Sequence, residues 1–274
     1  LFVARPWTLS VVPELAREAA RQGLNLSAFE APLAESTLSR GKTLPRLAAF
    51  SDPEERLAAV GLGNRVIGEA QNLGASLLIL DFGEVFTRPG RGAIARLFAR
   101  AELEPDEAGT PQVTSWNALA ADRKRQAEGL MEAAKRALDR LVPGAERAGV
   151  KLGLVPSDGP WGFPSPREAE DLLACYQGAP VAAVPDTSHW AVLVTLGLVA
   201  GPARLQSLLE NAAAVIAAEA VGMSAGLLPG LGESDARALA KRAAAVPALP
   251  VIIDGKADSR DEEIALAAGF FEGG

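Results

Sequence analysis

SDPEERLAAVGLGNRVIGEAQNLGASLLILDF, residues 51–82, holds a helix start, a helix stop and a buried strand in that order. Ser51-Asp52-Pro53-Glu54-Glu55 is a start signal: a capping side chain, a proline in the first turn and acids near the positive end of the helix dipole all favour initiation. Gly74 is the matching stop, because glycine takes the left-handed backbone that closes a helix without steric cost. ASLLILDF at 75–82 then runs apolar without alternation, the pattern of a parallel strand covered on both faces. Six more runs share that character: LFVA at 1–4, LNLSAF at 24–29, VKLGLV at 150–155, PVAAVP at 180–185, AAVIAAEA at 213–220 and LPVIID at 249–254.

Helical stretches separate these runs. Val12 to Gln22 ends at Gly23, and Trp116 to Ala148 reads as a long helical region interrupted near Pro143-Gly144. Ser165-Pro166-Arg167-Glu168 combines a cap, proline at the first helical position and Glu at the third, the elements of a capping box. Ser234 to Ala245 and Ser259 to Ala268 complete the series, while 89–111, rich in Gly, Pro and acids, reads as a long loop at a strand end. Strands alternating with helices in one unbroken series imply a parallel sheet. The first strand lacks the glycine-rich turn of a dinucleotide fold, and seven or eight βα repeats without a composition break fit a single (β/α) TIM barrel over 1–274.

Composition narrows the function. The 274 residues carry 27 Lys and Arg against 34 Asp and Glu, a formal charge of −7, so no nucleic acid partner is expected: phosphate binding needs clustered cations. The single cysteine, Cys175, reads as a buried helix thiol and forms no internal disulfide. The longest apolar runs fall short of the ~20 residues of a membrane span. LFVARPWTLS lacks a signal peptide's apolar core, so no membrane and a cytoplasmic location are expected.

In a parallel barrel the reactive groups stand at the C-terminal strand ends. Polar residues appear there at Asp81 and Glu84, Ser157 and Asp158, Asp186 to His189, Glu219, and Asp254 with Lys256. Pro185-Asp186-Thr187-Ser188-His189-Trp190 is the richest cluster, and His189 is the chain's one histidine. A carboxylate at a strand end and an imidazole three residues on reach one pocket, where Asp orients His or binds a cation and His meets a substrate oxygen. An equally open reading has Asp186 capping the next helix and His189 half-buried in it. Trp161 and Phe163, and Trp190 beside His189, either stack on a sugar's C–H face or pack loop against barrel.

Four passages, SDPEERLAAVGLGNRVIGEAQNLGASLLIL, GVKLGLVP, PVAAVPDTSHW, and LLPGLGESD followed by LPVIIDGKADSRDEEIALAAGFF, resemble the xylose isomerase-like TIM barrels. That group contains sugar phosphate isomerases and epimerases and the AP endonuclease family 2 superfamily. The resemblance implies a sugar-like small-molecule substrate, carbohydrate metabolism and a divalent ion (Mn, Mg or Zn) held by Glu, Asp, His and Glu on four strands. Carried over, Asp186 is the Asp ligand, His189 contacts substrate or metal, Asp254 stands for the last Glu as ligand or base, and Glu219 is the nearest group to the missing His. Val155 stands at the first Glu. His189, Trp161, Trp190 and Lys256 are the implied substrate contacts.

Against the same pattern, residues 1–33 match the second strand, second helix and third strand, so either the chain is trimmed or the barrel is short by its first βα unit, unless LFVA is itself strand one. Seven strands need another way to close, by a flattened seam or a homo-oligomer partner. The incomplete ligand set leaves three readings: an isomerase or epimerase moving a proton beside a carbonyl, an inactive barrel that binds a small ligand or acts as a partner subunit, and AP-endonuclease-like hydrolysis. The acidic balance and the scarcity of histidine oppose the third.

Overall fold

The computed structural model describes residues 2–3, 12–30, 53–80, 82–83, 85, 111–196, 198–199, 203–232, 249–253, 262–263 and 265–267. Nine strands occur among them: β1 (Phe2–Val3), β2 (Ala28–Glu30), β3 (Leu77–Leu80), β4 (Lys151–Leu154), β5 (Val181–Ala183), β6 (Val215–Ala217), β7 (Glu219–Val221), β8 (Ser224–Leu227) and β9 (Val251–Ile253). The helices are α1 (Val12–Arg21), α2 (Pro53–Leu73), α3 (Pro111–Ala148), α4 (Pro166–Cys175), α5 (Thr187–Thr195) and α6 (Ala203–Glu210).

Strands β1 to β5 pair in parallel in chain order, with Ala28 opposite Leu77, Leu77 opposite Lys151 and Leu152 opposite Val181. Parallel bridges Ala183–Ala212 and Asp186–Ile216 carry the sheet from β5 to β6, and β6 pairs in parallel with β9. All seven apolar runs of the sequence thus contain a parallel strand.

Side chains alternate across these strands as the two-residue period requires. Phe29, Leu78, Leu80, Leu152 and Leu154 face outward into a core shared with α2 and α3, where Val66, Ala70, Ala134, Leu138 and Leu141 meet them. Ala28, Leu77, Ile79, Val184, Ile216 and Ile252 form a second cluster, with Val155 packed against it, and among the described residues it contains none from a helix. An open sheet of this type carries helices on both faces; here the strands fill their inner face by themselves, which is the arrangement of a barrel. Each large apolar side chain so buried contributes about 1.5–3 kcal/mol. Gly153 sits on the inner face because a methyl there would lie 2.7 Å from Val184 Cγ2 and 3.2 Å from Leu77 Cδ1.

The sequence reading needs three corrections. First, α3 passes through Pro143 without interruption. Leu141 and Ala145, both fully buried, anchor the helix on either side of the proline, and Gly144 lets Asn64 of α2 approach. Second, the run 213–220 is not one strand. It ends at Ala217, and Glu219 opens an antiparallel hairpin, β7–β8, turning at Gly222 with φ 54°. Third, Cys175 is exposed rather than buried. The expected helix over 234–245 and the long loop over 89–111, apart from Pro111 at the start of α3, lie outside the described residues, and 262–263 and 265–267 are helical.

Candidate functional site at the end of β5

Asp186 stands three residues beyond the end of β5 and takes extended backbone, φ −107° and ψ 122°, as the N-cap of α5. Its Oδ1 accepts three hydrogen bonds, from Ser188 N at 2.8 Å, Ser188 Oγ at 2.6 Å and His189 N at 3.2 Å. A cap of this kind satisfies helix N–H groups that otherwise lack partners. The second oxygen, Oδ2, lies 3.6 Å from His189 Nε2. One oxygen thus caps the helix and the other faces the imidazole.

His189 Nδ1 is 2.9 Å from the Pro156 carbonyl, just beyond β4. A carbonyl only accepts, so Nδ1 carries the hydrogen and donates it, and Nε2 is the nitrogen turned to Asp186. With 29% of its side chain exposed, the imidazole is reachable from solvent, whereas Asp186 at 8% is reached only beside it.

The start of α5 is tied to β6 and to the hairpin. Thr187 Oγ1 donates to Ala218 O at 2.5 Å and accepts from Ala218 N at 3.0 Å, closing both backbone groups of the residue that ends the inner face of β6. Ser188 Oγ accepts from Gly226 N of β8 at 3.2 Å. Both side chains are buried. The sequence reading missed Thr187 and Ser188 as positioning groups. Hydroxyls directly after a capping Asp were the available signal, because short polar side chains at a helix start bond nearby backbone.

The loop 156–165 makes the neighbouring wall. Trp161 Nε1 donates to Asp158 Oδ1 at 2.8 Å, and the ring, 3% exposed, packs with Val192 and Leu196 of α5 and Ala220 of β7. Trp161 is thus committed to packing and is not presented over an open mouth. Phe163 meets Phe82 edge to face at 6.1 Å between centroids. Trp190 takes the packing alternative as well. It packs in the outer layer, among Ala169 of α4, Leu205, Leu208 and Leu209 of α6 and Val215 of β6.

At the base of this loop, Arg123 Nη1 and Nη2 donate to Glu168 Oε1 and Oε2 at 2.6 and 2.7 Å, and Nη2 also reaches Gly162 O at 3.1 Å. The expected capping box is complete, with Ser165 N donating to Glu168 Oε2 and Glu168 N to Ser165 Oγ. Burial raises the Glu168 pKa, but the hydrogen bonds and charge of Arg123, with the Ser165 bonds, outweigh it and hold the carboxyl below its ordinary 4.5.

Glu219 is buried, and its Oε2 accepts from Gly232 N. Asp186, His189 and Glu219 do not assemble: among the described residues no three His, Cys, Asp or Glu groups could hold one ion. Val155, at the position of the first implied ligand, packs its apolar side chain against the inner cluster. The described residues therefore do not fit the divalent centre that the resemblance implies. Asp254 and Lys256, like Asp81 and Glu84, lie outside them.

No family model and no curated protein matches the sequence. Solved structures do match. The apo form of 3-keto-D-glucoside 4-epimerase, YcjR, from E. coli superposes with a TM-score of 0.62 at 16% identity, over 95% of this chain and 85% of that one. A D-tagatose 3-epimerase-like protein gives 0.64 at 15%, over 97% and 84%. A xylose isomerase domain protein from Planctomyces limnophilus gives 0.59 at 12%, over 99% and 85%. The chain has the xylose isomerase-like TIM-barrel fold. In a barrel of this kind the C-terminal strand ends are the functional face, and Asp186 and His189 stand there. Among the described residues no helix is long and apolar enough to cross a membrane.

Proposed function

We propose that this barrel is a sugar isomerase- or epimerase-like protein that binds a sugar-like small molecule at its strand ends and moves a proton beside the carbonyl. His189, oriented by Asp186 and the Pro156 carbonyl, contacts a substrate oxygen; Asp254, directly after β9, is the base. The observation that carries this reading is the Asp186 Oδ2 to His189 Nε2 approach of 3.6 Å on a solvent-reachable imidazole. A carboxylate beside an imidazole steadies a positive charge on it, the requirement of an acid catalyst at a developing enolate oxygen; with Nδ1 given to the Pro156 carbonyl, the proton passes from Nε2. The fold's likeness to sugar epimerases supports the substrate class. The test is exchange of the carbon-bound proton into D₂O across keto-sugars and aldoses, followed by NMR. Exchange that disappears in His189→Ala supports the proposal.

Val155 favours a second reading, small-ligand binding or a partner subunit without turnover, because a valine at that strand end neither ligates nor moves a proton. Saturable sugar binding with no isotope exchange would select it.

A further inference from the structure

A groove lies on the outer layer, between α2 and α3. A cavity of ≈ 350 Å³ is lined by Pro53, Arg56, Leu57 and Val60 of α2 and by Arg136, Asp139 and Arg140 of α3. No lining residue belongs to the strand-end site. The volume falls within the range of small-molecule pockets, about 300–1,000 Å³. Arg56, Arg136 and Arg140 line it together with Asp139, and Arg56 already has a partner, which leaves Arg136 and Arg140 as the groups of interest.

Arg136 and Arg140 are one helical turn apart, where like charges repel. Among the described residues neither is joined to a carboxylate, and both side chains are exposed. The one carboxylate in the wall, Asp139, has its Oδ1 2.8 Å from the Tyr176 hydroxyl, whose single proton is shared between it and the Lys135 carbonyl at 2.9 Å. Guanidinium donors match the oxygens of phosphate bidentately, and two of them flanking a half-apolar cavity relieve their repulsion when an anion enters. Leu57, half exposed, and Val60 give the ligand's body an apolar wall.

We infer that this groove binds a phosphate-bearing small molecule. The experiment uses the full chain and pyrophosphate as probe, measured by calorimetry and ³¹P line broadening at fixed ionic strength. Saturable binding is expected, weakened about tenfold or more in R136Q and in R140Q and unchanged in R65Q, an exposed α2 arginine outside the groove. Circular dichroism melts check that each variant is folded; both groove arginines are exposed, so their loss leaves the core intact. Absence of pyrophosphate binding, or equal binding by an R136Q/R140Q double variant, would overturn the inference. So would a poly-Glu peptide binding through these arginines while pyrophosphate does not.

Discussion

Arg123 of α3 and Glu168 of α4 meet in a two-bond ion pair, 2.6 and 2.7 Å, with side chains only 15% and 13% exposed. The pair fastens the long third helix to the loop that carries the Pro156 carbonyl and Trp161, so it supports the wall of the candidate site. Removing one partner of a buried pair strands the other charge, a loss of about 3 kcal/mol or more. Arg123→Ala should lower the urea midpoint accordingly, and Arg123→Lys should recover only part of it, because an ammonium lacks the planar fork.

The same pair sets an acid limit. Glu168 is held below its ordinary 4.5, so its contribution is fully present above about pH 4.5 and is lost as pH falls through the lower folded value. Urea melts between pH 7 and pH 3 should show a smaller acid-side loss in Glu168→Gln than in the native chain. Parallel curves would remove Glu168 from the account.

Thr187 closes both backbone groups of Ala218, and a valine of the same shape closes neither. Each orphaned group costs about 1–3 kcal/mol, so Thr187→Val should destabilise by ~2 kcal/mol or more in equilibrium unfolding, whereas Thr187→Ser should come close to the native value.

Gly153 tests the filling of the barrel. An added methyl collides with Val184 Cγ2, and overpacking costs about 1–3 kcal/mol. In Gly153→Ala/Val184→Ala the clash is gone. The double variant should therefore be more stable than the sum of the two single changes predicts, in a double-mutant cycle.

The barrel was legible in the sequence because buried parallel strands announce themselves as unbroken apolar runs; Leu77 to Leu80 and Val215 to Ala217 are buried on both faces. The Ser165 box was legible for a similarly local reason. Pro143 misled, because a proline's effect on a helix depends on what packs beside it, and the burial of Leu141 and Ala145 against α2 is a tertiary fact. Whether Trp190 stacks or packs is likewise a tertiary fact: a residue next to His189 in sequence points about 100° around the helix from it, into the outer layer. The hairpin after Ala217 was hidden because the alanines of 217–220 carry no turn chemistry, and the strand stops where Thr187 takes up the Ala218 backbone.

Asp186 has two tasks that substitution separates. Asp186→Asn keeps an oxygen for the Ser188 and His189 N–H groups and removes the charge behind the imidazole; Asp186→Ala removes both. The alanine variant should lose about 1 kcal/mol as a lost cap, the asparagine variant much less, and both should lose ligand-dependent chemistry. Chemical denaturation beside the D₂O exchange assay reads the two effects separately.

His189 is the one histidine in the chain, so its imidazole carbon-bound proton gives one assignable NMR signal. The most direct measurement follows that signal while keto-sugars, aldoses and sugar acids are titrated into the purified protein. The account predicts a saturable shift with at least one of them, abolished in Asp186→Ala. A sugar that binds by calorimetry and leaves the His189 signal unmoved would contradict it, as would a full panel without any binding.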